Sequence, residues 1–311
     1  MDLRSGFVAT SVCAFVLACT VGCSAKRVAV GAVADALGGG GGGSFASDED
    51  PELVRDALPF GLKLYETLLE STPDHRGLLV ATASGFASYA YLLQDQASRI
   101  EAVDRDGARA LRQRASRLYL RGRDYALRGL EVAHPGFRDA LAADPGAALA
   151  KTDRDDVDLL YWFAAAQAGA LSANKGDAEL IAELPTAGAV MQRVLELDES
   201  YGAGAAHEFF VSYEASRPGG SVARAREHFA RARELANGER ASIFVALAEN
   251  VSVQQQDLAE FQSLLDQALA VDADRAPQNR LTNVLAQRRA QWLREHAADL
   301  FLDAEATGGT P

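Results

Sequence analysis

Apolar and polar positions recur with a helical period along most of the chain. Between residues 51 and 71 the apolar positions are three or four apart, on one helix face: Val54, Leu58, Leu62, Tyr65 and Leu69. The same spacing predicts further helices over residues 76–103, 105–133, 137–142, 145–150, 157–174, 186–197, 203–216, 221–235, 239–250, 257–271 and 278–302. No segment shows the alternation typical of a strand, so the pattern predicts an all-α protein.

The predicted helices also show an internal repeat. Three helix ends have similar sequences, in which an apolar residue is followed closely by Asp, Asn or Gly. They begin at Leu197, Leu235 and Val271, 38 and 36 residues apart, with two helices in each interval. This spacing is close to the 34-residue period of a tetratricopeptide helix pair. We therefore predict tetratricopeptide-like helical-hairpin repeats that form a compact superhelical domain. Irregular antiparallel hairpins are the alternative.

The N-terminal segment is typical of an exported protein. No charged residue occurs between residues 5 and 25, as in the apolar core of a signal peptide. All three cysteines lie here: Cys13, Cys19 and Cys23. The run from Thr20 to Ser24 resembles a bacterial lipobox, which predicts lipidation of Cys23, with Cys19 as a competing site. Serine after that cysteine favours sorting to an outer membrane.

These features divide the chain into four parts. Residues 1–22 are predicted to be a lipoprotein signal peptide. Residues 23–49 form a lipidated N-terminus with a short helix near residues 26–37 and a glycine-rich tether at Gly38–Gly43. Residues 50–303 form the helical-repeat domain, and residues 304–311 form a flexible tail.

Composition and charge exclude several classes of function. Hydrophobic residues make up 48% of the chain and aromatic residues 7%, which suits a helical domain with a sizeable core. The net charge of −12 disfavours a nucleic-acid partner. The five histidines lack metal-ligand spacing, and neither a nucleophile elbow nor a phosphate-binding loop is present. We expect no cofactor, no metal and no catalytic residue, and hence no enzyme.

Two aromatic segments are the candidates for a binding or partner cleft. One places Tyr161 and Trp162 on the helix that starts near residue 157. The other places His207, Phe210, Tyr213 or Glu214, and Arg217 along one helix face. They could wall a cleft with a few polar anchors. The alternative is that they seal interfaces between helices and satisfy nearby polar groups.

A set of segments, in this order, resembles the T component of TRAP transporters. It comprises the lipobox, Lys26–Leu37, Ala57–Glu66, Tyr119–Tyr125, Leu160–Trp162 and His207–Gly220. The resemblance implies a periplasm-facing lipoprotein of tetratricopeptide-like pairs that assembles as a homotrimer. It also implies a periplasmic solute-binding protein as partner, with a small organic or hydrophobic ligand. A structural lipoprotein of envelope assembly is the alternative function.

Overall fold

The computed structural model describes residues 43–302, and all regular structure in that range is helical. The α-helices are α1 (Gly43–Ala46), α2 (Pro51–Ser71), α3 (Arg76–Ile100), α4 (Arg105–Ala133), α5 (Phe137–Ala143), α6 (Pro145–Leu149), α7 (Val157–Ala173), α8 (Ala178–Leu197), α9 (Ala205–Ser216), α10 (Val222–Leu235), α11 (Ala241–Leu247), α12 (Leu258–Leu269), α13 (Arg280–Glu295) and α14 (Ala297–Leu300). The predicted signal peptide, both candidate lipidation sites, the helix near residues 26–37 and the tail lie outside the described residues.

Aspartate caps explain where many of these helices begin. The side chain of Asp50 accepts hydrogen bonds from the backbone N–H groups of Glu52 and Leu53, each at 3.0 Å. Asp104 and Asp177 cap α4 and α8 in the same way. Each carboxylate satisfies N–H groups that have no partner within the helix, and it interacts favourably with the helix dipole.

The helices pack in sequence as neighbouring pairs around three clusters of buried apolar side chains. One cluster joins α4, α7, α8 and α9. A second joins α2, α3, α4 and α7, and a third runs from α9 to α13. The pairs α9–α10 and α11–α12 occupy the two intervals of the predicted repeat. The all-helical fold is therefore confirmed, whereas the tetratricopeptide-like character and the superhelix stay predictions.

Helix α13 returns to the start of the domain. Leu281 and Leu285 belong to the same buried cluster as Val54 and Leu58 of α2. Around this apolar contact, Arg288 donates to Glu52 at 2.8 Å, and Arg99 of α3 pairs with the same carboxylate at 2.9 Å. The first and last long helices of the described chain are thus in direct contact.

The structure differs from the sequence prediction mainly in α8. The helix begins at Ala178, whereas the pattern placed its start at residue 186. Pro185 lies inside the helix on its exposed side, where the hydrogen bond that proline cannot donate is lost without burying an orphan carbonyl. Similarly, the last predicted helix is interrupted at His296, and α11 continues into a π-helical turn at Ala248–Ser252.

None of the helices between residues 43 and 302 has the length and apolar character required to cross a bilayer.

Candidate functional site

Tyr161 and Trp162 lie half-buried near the start of α7. Their rings meet edge to face with centroids 5.1 Å apart, and the Tyr161 ring lies 5.0 Å from that of Tyr201. The Tyr201 hydroxyl donates to Asp158 at 2.7 Å, which holds the loop before α9 against α7. Burial raises the pKa of Tyr161, so this phenol stays neutral and can donate a hydrogen bond.

His207 lies buried at the contact of α9 with α10. Its Nδ1 atom is 2.8 Å from Nδ1 of His228, and its Nε2 atom is 3.1 Å from Glu199. Arg231 also donates to both oxygens of Glu199 at 2.8 Å. Hydrogen bonds from Arg231 and then from His207 lower the pKa of Glu199 to about 2. Burial and the neighbouring His207 lower the pKa of His228.

Phe210 and Tyr213 continue this face of α9. Phe210 is buried and stacks on His228 with ring centroids 4.9 Å apart. The Tyr213 ring packs against Gly188 of α8, where any side chain would collide with it. Both residues therefore lie between neighbouring helices.

Arg217 follows α9 and binds Glu214 through Nε and Nη2 at 3.0 and 2.8 Å. Arg224 of α10 donates to the second oxygen of this buried carboxylate at 2.9 Å. The hydrogen bonds from Arg217 and Arg224 outweigh burial and lower the pKa of Glu214. The arginine pair therefore fixes the turn between α9 and α10.

The structure thus brings four of the six predicted residues together around α9, with Tyr161 and Trp162 as a separate pair on α7. The observed contacts of the four are made with helices α8 and α10 and with polar side chains nearby. Such contacts are those of side chains that fill the interfaces between helices. Their part in a cleft stays a prediction.

Glu208, beside His207 in the sequence, points in a different direction. It forms an ion pair with Arg240 at the start of α11, Nη2 to Oε2, at 2.6 Å. Arg240 also donates to the carbonyl oxygen of Gly202 at 2.6 Å. Despite the short ion pair, Glu208 Oε2 and Arg240 Nε are buried without a hydrogen bond of good geometry within the described chain. Buried polar atoms without a partner are costly and call for an explanation.

Tyr91 of α3 faces the same region. It keeps 43% of its surface exposed, yet surrounding protein raises its pKa, helped by the carboxylates of Asp95, Glu208 and Glu249. Glu208 also acts on the pKa of Tyr161. The charge of Glu208 therefore acts on both Tyr91 and Tyr161, and Arg240 also acts on Tyr161. We call Tyr91, Tyr161, Glu208 and Arg240 the inner surface.

A cleft of about 520 Å³ lies between α3 and α13. Its polar lining includes Asp95, Arg99, Arg288 and Arg289, and the Arg289 guanidinium lies 4.3 Å from the centroid of the Trp292 ring. Asp95 and Tyr91 are four residues apart on α3, so the cleft and the inner surface adjoin. Burial raises the pKa of Asp95, although Arg99 and Arg288 oppose this effect.

The sequence pattern does not predict the inner surface, although it contains one relevant signal. Glu208 is the only acidic residue in the apolar run from Ala205 to Val211. Tyr91 and Arg240 carry no comparable mark, because their convergence depends on how distant helices pack. Within residues 43–302, no group of three or more metal-ligating side chains is placed to hold a metal ion.

Together these features define an all-helical protein whose paired helices carry a polar and aromatic inner surface. The chain belongs to the TRAP transporter T-component family, whose family model matches residues 47–301. It is also similar to an uncharacterized protein of Treponema pallidum (strain Nichols), at 30% identity over 316 aligned positions that cover 94% of this chain and 98% of that protein.

Family membership confirms the resemblance drawn from the sequence. It gives the chain an accessory role in a TRAP transport system and an association with the cell envelope. The family is a transport accessory and not a known enzyme family.

Proposed function

We propose that this protein is a lipid-anchored accessory lipoprotein that docks the periplasmic solute-binding protein of a TRAP transporter and holds its ligand. Cys23 carries the lipid, the domain faces the periplasm from the outer membrane, and three copies assemble. The ligand is a small organic or hydrophobic molecule. The observation that supports ligand holding is the inner surface, where the ion pair of Glu208 with Arg240 lies near the Tyr161 ring.

The chemistry of the inner surface suits such a ligand. Tyr91 and Tyr161 supply aromatic area, and both phenols are kept neutral by their surroundings. Glu208 Oε2 is ion-paired with Arg240 Nη2, whereas Arg240 Nε is buried with no hydrogen-bond acceptor in the described chain. A ligand with an apolar body and one acceptor group would satisfy Arg240 Nε while its body contacts the rings.

A titration tests the docking step. The full chain is titrated with the solute-binding protein encoded beside its gene, and sedimentation gives the stoichiometry. Saturable binding at a fixed ratio is expected. Absence of binding, with and without added organic acids, would transfer support to the envelope-assembly alternative.

A fluorescent aromatic acid, anilinonaphthalenesulfonate, tests the inner surface. We expect the Arg240→Gln and Tyr161→Ala variants each to weaken its binding about tenfold, the loss of roughly one charged hydrogen bond or one aromatic contact. Phe60→Ser is the matched control, because Phe60 is 78% exposed on the outside of α2. If only the Phe60 variant lost binding, the inner surface would not be the ligand site.

A further inference from the structure

The chain has a net charge of −12, yet α4 contains a strongly basic segment. Residues 107–123 contain six arginines and no acidic residue, in a chain where acidic residues outnumber basic ones by 43 to 31. Four arginines of α4 are exposed along its N-terminal half: Arg105, Arg109, Arg114 and Arg117. Segregation of charge on this scale produces a local positive potential on an acidic molecule.

Some of these arginines are neutralised by carboxylates from other elements. Arg112 binds both oxygens of Glu101, and Arg121 pairs with Glu66. Arg114 donates to the Tyr89 hydroxyl at 2.8 Å, which leaves its charge unbalanced. Arg105 helps Arg112 to lower the pKa of Glu101, and Arg117 is exposed without a salt bridge to any residue between 43 and 302. The uncompensated charge therefore lies in the N-terminal half of α4.

A pocket of about 310 Å³ lies at this end of α4. It is lined by Glu101, Arg105, Arg109, Arg112, Gln113, Ala173 and Asn174, and we call it the arginine pocket. Its one carboxylate, Glu101, is occupied by Arg112. Asp106 lies 3.2 Å from Arg109, but its side chain is 91% exposed, so this pair is weak. Guanidinium groups of this kind bind phosphate oxygens through paired N–H donors.

The arginine pocket lies at the end of the domain that leads to the N-terminal segment. The ion pair between Arg99 and Glu52 joins the last turn of α3 to the first turn of α2. Glu101 lies two residues beyond Arg99, so the arginine pocket and the first turn of α2 are at the same end of the helices. Residues 24–42 join this end to the proposed lipid anchor, with a maximum span of about 65 Å.

We infer that the arginine pocket binds the phosphate of an anionic lipid headgroup and so holds this end of the domain against the bilayer. This inference rests on the proposed lipid anchoring, because the anchor keeps the pocket within reach of the membrane. An acidic partner protein would also be attracted. The lipid is favoured because the pocket is concave, is lined by neutral amides as well as arginines, and lies at the tethered end.

Vesicle binding tests the inference. The full chain with Cys19→Ser and Cys23→Ser, which cannot be lipidated, is mixed with vesicles of phosphatidylcholine alone or with added phosphatidylglycerol. Association with the neutral vesicles measures how much the apolar N-terminal segment contributes to membrane binding. We expect phosphatidylglycerol to strengthen binding, and Arg105→Gln with Arg109→Gln to reduce that increment by about tenfold, the order expected for two basic residues near a charged surface.

Arg138→Gln with Arg154→Gln is the matched control. Both arginines are exposed and lie beyond the opposite end of α4. This double variant loses the same charge as the Arg105 and Arg109 double variant but leaves the arginine pocket unchanged. Inorganic phosphate alone, added as competitor, should abolish the increment only at concentrations far above that of the lipid. The inference is overturned if the increment is absent, if both double variants reduce it equally, or if only an acidic protein binds.

The proposed function is tested separately. Mass spectrometry of the wild-type protein extracted from membranes shows whether Cys23 carries a diacylglyceryl group. The vesicle experiment uses a chain without lipid, so either result can fail while the other stands.

Discussion

At the scale of single residues, close helix packing depends on glycine at a few positions. Gly122 of α4 is the clearest case: a Cβ atom there would lie 2.9 Å from the carbonyl oxygen of Ala83 and 3.3 Å from the Cβ atom of Phe86. These atoms belong to α3 and cannot turn aside as a flexible side chain could. The approach of α3 and α4 therefore depends on the missing side chain.

We expect Gly122→Ala to lower the free energy of unfolding by about 1–3 kcal/mol, because the helices must separate. Gly61→Ala is the matched control: Gly61 is also helical, but its Cβ would meet open space. The control should raise the free energy of unfolding by about 0.5–1 kcal/mol, through the helix preference of alanine. Denaturant unfolding of both variants measures the difference, and equal effects would contradict the packing argument.

His228 gives stability a pH dependence. Burial, then the nearby His207, lowers its pKa in the folded protein from the ordinary 6.5. The unfolded chain therefore binds a proton at a higher pH than the folded one does. Stability is complete above pH 6.5 and falls as the pH drops below it, with a slope of at most about 1.4 kcal/mol per pH unit.

The measurement is the free energy of unfolding between pH 8 and about pH 5, above the range in which ordinary carboxylates titrate. His228→Gln should flatten the curve, whereas Phe60→Ser, on the exposed side of α2, should leave its slope unchanged. A slope that survives in the His228 variant would assign the effect to other groups.

At the scale of secondary structure, the sequence predicted most helices to within a few residues, because their apolar faces and aspartate caps are local signals. The exception, α8, shows the limit of that reasoning. Pro185 is a strong local signal for a helix start, yet packing of Leu180 in the core extends the helix back to Ala178. Tertiary contacts here outweigh a local preference.

Because α8 begins before Pro185, its first turns depend on the cap formed by Asp177. Its carboxylate accepts from the N–H groups of Glu179 and Leu180 at 3.1 and 3.3 Å. Pro185 donates no hydrogen bond back to this part of the helix. We expect Asp177→Ala to cost about 1 kcal/mol and to accelerate amide exchange over residues 179–184 only. Asp177→Ser should retain most of the protection; acceleration beyond Pro185 would show that the cap supports the whole helix.

The candidate site was less accessible to sequence reasoning than the helices. The sequence placed His207, Phe210 and Tyr213 on one face of α9, and the structure has them on that face. It could not show that this face contacts α8 and α10, whereas Glu208, one position along, turns toward Arg240. Helical period gives relative direction within an element, but the partner of each face is decided by packing between distant elements.

At the scale of the whole molecule, the contact of α13 with α2 closes the fold. We expect Leu285→Ala to lower the free energy of unfolding by about 2–5 kcal/mol, since its side chain is buried in the cluster shared with Val54 and Leu58. Amide exchange should accelerate in α2 and α13 together and stay unchanged in α9 and α10, which contribute no residue to this cluster.

Glu52→Gln is the comparison for this prediction. It weakens the ion pairs with Arg99 and Arg288 at the rim of the same contact, and partly exposed pairs contribute little. An effect below about 1 kcal/mol is expected. If the glutamine variant were as damaging as the alanine variant, closure would depend on charge and not on apolar packing.

The contact between α2 and α13 has a consequence for how the polypeptide is made. Glu52 and Arg288 are 236 positions apart, so in a growing chain the part of α2 that contacts Leu281 and Leu285 stays uncovered until α13 is synthesised. Contacts of such sequence separation form slowly, because a long loop must close first. A nascent chain of this protein is therefore expected to need protection by a chaperone until its last helices are complete.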